Sequence, residues 1–156
     1  PRSVLFLDTW RQLLPDCVVI IMLRPWRQVI HSLLRRDRRQ EASAPKSWLV
    51  PLWHHPLNPL IIDKYVQTWI CYNRHALRFQ RQHPDQTLIL GAERLYSNRE
   101  EISLKLEANS VSAPVEKLGG LFQSQEWEED TRNLAVSPNV AAQADELESE
   151  FTKLLL

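Results

Sequence analysis

The chain has 156 residues, 44% of them hydrophobic and 24% charged, with nineteen Lys/Arg against nineteen Asp/Glu. That is one domain's worth of chain with enough apolar residues for a real core, and no apolar run reaches membrane length. The zero net charge is unevenly spread: residues 1–50 hold nine Lys/Arg and four Asp/Glu, residues 51–100 six and four, and residues 101–156 four and eleven. A basic front and an acidic tail suit an anionic ligand at the front, or charge packing between the two halves.

In chain order, Ser3–Leu14 reads as a helix, with Val4, Leu7, Trp10 (or Arg11) and Leu14 at spacings of three to four. Cys17–Leu23 is a continuous apolar strand, the pattern of a parallel sheet covered on both faces. A helix over Pro25–Arg38 follows, with proline tolerated in its first turn and Trp26, Val29, Ile30, Leu33 and Leu34 as its apolar face. Residues 40–58 contain Pro45, Pro51 and Pro56 and are expected to form a long loop or lid. Pro59–His83 reads as a long amphipathic helix with an inner face of Ile62, Tyr65, Val66, Trp69, Ile70, Asn73, Ala76, Leu77 and Gln80. Pro84-Asp85 is a turn, and Thr87–Gly91 a second strand. A helix is expected over Asn98–Ala108, capped by Ser97 or Asn98. Residues 109–135 read as irregular. A last helix runs from Ser137-Pro138 to Leu155 with Leu147, Phe151 and Leu154 as its stripe. Strands alternating with helices indicate an α/β fold. Two strands are few for a stable sheet, so the sheet is expected to be incomplete in this chain.

The segment VVIIMLRPWRQVIHSLLRRDRR, residues 18–39, carries the most chemistry. A β-run ends in Arg24, Pro25 opens a helix, and Ser32 follows the arginine by eight residues. A helix N-terminus offers unpaired N–H groups and partial positive charge. Arginine adds a planar fork for two phosphate oxygens. Ligands of open α/β sheets gather at the carboxyl ends of strands, where Arg24 stands.

This string resembles the 3′-phosphate-binding segment of sulfotransferases that use 3′-phosphoadenosine 5′-phosphosulfate (PAPS). The lead-in from Pro1-Arg2 to Leu13-Leu14-Pro15-Asp16, the Trp69–Tyr72–Asn73 helix, and Thr87–Gly91 followed by Glu93-Arg94-Leu95 resemble bacterial members in the same order. The resemblance covers roughly residues 1–110. It implies a P-loop-type parallel sheet flanked by helices, PAPS as co-substrate, no metal, and Arg24 and Ser32 as the residues binding the cofactor's 3′-phosphate. The family's phosphosulfate loop, rich in Gly, Ser and Thr with a lysine, lies upstream of the arginine strand. This chain shows no such loop; its one Gly-Gly, Gly119-Gly120, comes late and lacks a following Lys-Ser/Thr. The chain is therefore expected to be the carboxyl-terminal portion of a sulfotransferase-like domain and inactive alone, with catalytic base and loop lysine unassigned. In the family, a base deprotonates a hydroxyl or amine acceptor, and the sulfuryl group moves in line.

The remaining candidates read more plainly. Arg35-Arg36-Asp37-Arg38-Arg39 is a solvated helix end, with Arg35 or Arg36 able to reach the phosphate side. His31 is not expected to be catalytic, and His54-His55 make a poor metal pair. Trp69 and Tyr72 read as core, while Trp48 and Trp53 are better placed to stack on an adenine or acceptor ring. The acidic cluster Glu126, Glu128, Glu129 and Asp130 around Trp127 reads as a solvated loop. Cys17 and Cys71 lack paired spacing and read as free core thiols, suiting a reducing, cytoplasmic setting. Expected partners are a small-molecule or saccharide acceptor and, through an open sheet edge, a second copy, with no nucleic acid and no membrane. Two readings compete with the sulfotransferase: a non-catalytic remnant or helical interaction module, and a P-loop kinase-like fragment, whose Walker loop and Mg²⁺-binding Asp do not show.

Overall fold

The computed structural model describes residues 2–43, 59–91, 104, 107 and 134–155. Among these the chain is mostly helical around a small parallel sheet, broadly α/β. The two prolines of the loop beyond residue 50, Trp48, Trp53, His54-His55, most of the helix expected over Asn98–Ala108, Gly119-Gly120 and the Trp127 cluster lie outside the described residues.

The chain enters as a 3₁₀ turn, Arg2–Phe6, and continues as α1, Leu7–Leu13. Pro15 cannot extend the helix, and the Leu14 N–H closes the last turn on the Trp10 carbonyl at 2.8 Å. Only the start of the expected apolar face is used. Leu7 is buried and Val4 packs on the core, whereas Trp10 and Leu14 are exposed, together with Leu5, Phe6 and Leu13. The far end of α1 is fixed by polar contacts instead. Arg11 Nε donates to Gln86 Oε1 at 3.0 Å, and Gln86 Nε2 donates to the Pro15 carbonyl at 2.8 Å.

Strand β1 spans Val19–Leu23. It starts two residues later than expected because the Cys17 N–H is turned back onto the Leu14 carbonyl at 3.2 Å. It pairs in parallel with β2, Thr87–Gly91, in the register Val19↔Thr87 through Leu23↔Gly91. The carboxyl ends of both strands thus lie side by side. β2 is buried along Thr87–Leu90. β1 is not covered equally on its two faces. Ile21 and Leu23 are buried, while Ile20 stays 37% exposed.

Helix α2, Trp26–Ser43, places Trp26, Ile30 and Leu34 at i, i+4 and i+8 in the core. It runs five residues past the expected end. Arg38 through Ala42 are helix-compatible, and the next proline is Pro45. Residues 40–43 therefore belong to the helix and not to the loop.

Helix α3, Pro59–Gln82, has proline at its first position and stops before Pro84. Its inner stripe is Ile62, Val66, Trp69, Ile70, Ala76 and Leu77, with Phe79 also buried. Cys71 falls on the outward stripe of Lys64, Gln67, Thr68, Arg74 and Arg78 and is exposed, while Cys17 is half-buried. The expectation of two core thiols is therefore corrected: helical phase carries Cys71 away from the core. Both are free.

Helix α4, Pro138–Thr152, buries Val140, Ala144, Leu147 and Phe151. Leu154, expected on this stripe, lies beyond the helix end and is exposed. Ser137 precedes α4, and its N–H and hydroxyl both turn to the Asp63 carboxylate of α3, the former at 2.9 Å. One apolar cluster joins β1, β2 and helices α2, α3 and α4. Across the helices, the Tyr65 hydroxyl of α3 donates to the Asp37 carboxylate of α2.

Candidate functional site

Arg24 sits in the two-residue joint between β1 and α2, at the carboxyl edge of the sheet and beside the end of β2. A parallel strand must hand its chain to a crossover at this edge. Pro25 makes the joint short: it pre-sets φ for a helix and needs no hydrogen-bond partner for its nitrogen. The Val29 N–H donates to the Pro25 carbonyl at 3.1 Å, so the first helical turn begins right at the joint. Arg24 is half-buried, with Nε and Nη2 shielded from solvent. Burial pushes its guanidinium below its ordinary value. Arginine titrates so high that the group remains a cation at neutral pH.

Ser32 lies on α2 about 9 Å along the axis from Trp26, by the 1.5 Å rise per residue. It is exposed. The two residues share one strand–helix unit, Arg24 at its corner and Ser32 toward the second turn, open to solvent.

The N-terminus of α2 holds the densest polar network among the described residues, and its partners come from α4. The main-chain N–H of Trp26 donates to Glu148 Oε2 at 3.2 Å. The Trp26 indole Nε1 donates to Asp145 Oδ1 at 2.8 Å. Arg27 grips Asp145 with both ends of its guanidinium, at 2.9 and 3.3 Å, and stacks over the Trp26 ring at 4.3 Å. The anion at this helix end is thus a carboxylate of the chain itself, in the position where helix dipole and free N–H groups favour one.

The sequence gives no direct signal for these contacts, since Asp145 and Glu148 lie more than a hundred residues from Trp26. The charge asymmetry is their one trace. α4 carries Asp145, Glu146, Glu148 and Glu150 and no cation; two of these four meet the basic front of the chain, and Glu150 meets Arg81 of α3.

The arginine run does not end α2. Arg35, Arg36, Arg38 and Arg39 are exposed, more than one turn before Ser43 in Arg35 and Arg36. Arg36 pairs with its neighbour Asp37 at 3.3 Å. His31 is half-buried; Trp69 is buried as expected and Tyr72 half-buried.

A second polar feature was not anticipated. A cleft of about 420 Å³ runs between α3 and α4. Arg74, Arg78 and Arg81 form one wall and Gln143, Glu146 and Glu150 the other, over a floor of Leu77 and Leu147. Arg81 bonds Glu150 at 3.1 Å, and Arg74 bonds Gln143 at 3.2 Å. The spacing i, i+4, i+7 of the arginines is visible in the sequence, but its partner wall is not.

No group of three or more His, Cys, Asp or Glu able to hold a metal ion occurs among the described residues, and no described helix is long and apolar enough to cross a membrane. Comparison with known proteins gives no match to a family model, a curated protein or a solved structure.

Proposed function

We propose that this chain is the 3′-phosphate-binding part of a PAPS-dependent sulfotransferase domain of P-loop type. The observation that supports this reading most is the position of Arg24. A shielded cation stands at the carboxyl end of a parallel strand, two residues before a helix whose first turn already attracts a carboxylate. Arg24 would supply a charge-assisted, bidentate grip on the 3′-phosphate. Ser32, exposed on the same helix, would donate its hydroxyl to that phosphate or its ribose. The reaction class is in-line transfer of a sulfuryl group from PAPS to a hydroxyl or amine of a small-molecule or saccharide acceptor. The base and the loop lysine are not assigned among the residues of this chain.

Calorimetric titration with 3′-phosphoadenosine 5′-phosphate, the desulfated product, tests the reading. The chain, or a longer chain extended upstream, is expected to bind it, and Arg24→Ala to weaken binding more than tenfold. Binding unaffected by Arg24→Ala, or no binding by either chain, would overturn it.

A non-catalytic interaction module is the second reading. One observation favours it: Phe6, Trp10 and Leu13 stand at i, i+4 and i+7, all exposed, with Leu5 and Leu14 beside them. Clustered exposed apolar side chains mark contact surfaces. Nucleotide binding that depends on Arg24 separates the two readings.

A further inference from the structure

We propose that the cleft between α3 and α4 binds a small zwitterion, a free amino acid with an aliphatic side chain, whose carboxylate meets Arg78 and whose ammonium group meets Glu146. The site uses no residue of the proposed phosphate grip and stands or falls apart from it.

Two polar contacts clasp the helices along this cleft. Arg74 Nη2 donates to Gln143 Oε1 at 3.2 Å, and Arg81 Nη2 donates to Glu150 Oε2 at 3.1 Å. Residue numbers rise on both helices from the first clasp to the second, by about two turns, so α3 and α4 run in the same direction. The turn in between carries Arg78, at i+4 from Arg74, and Glu146, at i+3 from Gln143. Such spacings keep side chains on one face of a helix. The register therefore sets an arginine opposite a glutamate midway between the clasps. Yet neither Arg78 nor Glu146 has a hydrogen bond or ion pair among the described residues. Both are exposed, and both line the same cleft of about 420 Å³, over a floor of Leu77 and Leu147.

The charges of the two walls select the ligand. An anion drawn to Arg78 meets the carboxylates of Glu146 and Glu150 across the cleft. A cation drawn to Glu146 meets three arginines. A ligand that carries both charges finds an opposite charge on each wall. A guanidinium takes a carboxylate through two parallel N–H bonds, and a carboxylate accepts readily from an ammonium group. An exposed Arg–Glu pair gains little by closing on itself in water, so the ligand has little to displace. Its aliphatic side chain settles on Leu77 and Leu147 and along the methylene stems of the arginines, taking apolar surface out of water. The cleft volume falls within the range of small-molecule sites, about 300–1,000 Å³.

The test is a nuclear magnetic resonance titration of the chain with leucine, leucinamide and N-acetylleucine at neutral pH. Leucinamide lacks the carboxylate and N-acetylleucine the ammonium group. Leucine alone is then titrated into Arg78→Gln, Glu146→Gln and Arg38→Gln. Arg38 is exposed on α2, outside the cleft. Thermal unfolding verifies that each variant is folded, and the ligand series on the wild-type chain needs no variant at all. Leucine is expected to saturate the chain, to bind about tenfold more tightly than either analogue, to lose about tenfold in Arg78→Gln and in Glu146→Gln, and to stay within about twofold in Arg38→Gln. No saturation by leucine would overturn the inference. So would an analogue that binds as tightly as leucine, since one charge would then suffice. Equal affinity in wild type, Arg78→Gln and Glu146→Gln would place leucine elsewhere, loss in only one of these two variants would leave a site for a single charge, and equal loss in Arg38→Gln would assign the effect to net charge. Each of these results overturns it as well.

Discussion

Trp26 shows how much one residue can settle. It is 2% exposed and still carries two polar donors, the indole N–H and the first main-chain N–H of α2. A buried donor left without a partner costs about 1–3 kcal/mol, so a packed tryptophan at a helix start needs acceptors, and α4 supplies both. Asp145 takes the indole. Burial pushes its carboxyl up, but the hydrogen bonds from Trp26 and Arg27 and the charge of Arg27 outweigh this and hold it below its ordinary value of 3.8. A carboxylate depressed in the folded state stabilises the fold above its unfolded value. That contribution is lost as pH falls through the folded one. Asn in place of Asp145 can still accept from the indole, so the substitution removes mainly the charge. The Arg27–Asp145 pair is about half exposed, at 58% and 48% of the two side chains, which limits the charge contribution to about 1 kcal/mol or less. Asp145→Asn is therefore expected to be slightly less stable than wild type at pH 7, with the difference closing below about pH 4. Urea unfolding of both proteins from pH 7 to pH 2.5 would measure it. A constant difference across that range would show that the charge of Asp145 contributes nothing. At this scale the sequence is legible where chemistry is local. Arg24, Pro25 and Trp26 declare a strand end and a helix start by their order alone. Glu148 is not legible, because nothing in its neighbourhood along the chain distinguishes it from Glu146.

Among the elements, α3 was the easiest to read. Twenty-four residues of unbroken 3.6-residue periodicity between Pro59 and Pro84 leave little choice, and its bounds agree with expectation to one residue. β2 was as clear, as a short apolar run, Leu88-Ile89-Leu90, between a proline turn and a glycine. The helix expected over Ser3–Leu14 is α-helical only from Leu7, after a 3₁₀ turn, and its packing is not legible in the sequence. Periodicity identifies a face that could be buried, but burial needs a partner, and only Val4 and Leu7 find one among the described residues. α4 was under-read for the opposite reason. Val140 and Ala144 are small and set among polar neighbours, so they extend the stripe of Leu147 and Phe151 without announcing it. These two helices make a sharp comparison. Phe151 is fully buried, and truncating a buried phenylalanine to alanine costs about 3–5 kcal/mol. Trp10, larger but half exposed on α1, carries no such burden, and Trp10→Ala is expected to cost less than about 1 kcal/mol. Denaturant midpoints of the two variants against wild type would decide. A cost for Trp10→Ala as large as that for Phe151→Ala would mean that α1 is covered in solution by something the described contacts do not include.

At the scale of the whole molecule, what matters is that almost nothing in the core is local. β1 and β2 pair Val19 with Thr87 and Leu23 with Gly91 across an intervening pair of helices. α4 reaches back more than a hundred residues to α2 and about seventy to α3 through the Asp145, Ser137 and Glu150 contacts. Buried residues from all five elements share one cluster, which holds Trp26 and Ile30 of α2, Val66 of α3 and Phe151 of α4. Pairing of parallel strands across the sequence gains little until the crossover helices are in place. Unfolding should therefore be a single cooperative event of the kind small domains show. Far-UV circular dichroism follows the helices, whereas tryptophan fluorescence responds to Trp26 and Trp69, buried where α2 and α3 meet the rest. The two signals are expected to give one midpoint and one slope in urea. If fluorescence changed first while helicity persisted, α4 would be a separately undocking flap, and its contacts with Trp26 and Arg27 would be open for much of the time. Coincident curves would instead mean that the acidic helix stays fixed on α2 whenever the chain is folded, with Asp145 and Glu148 held on the first turn of α2.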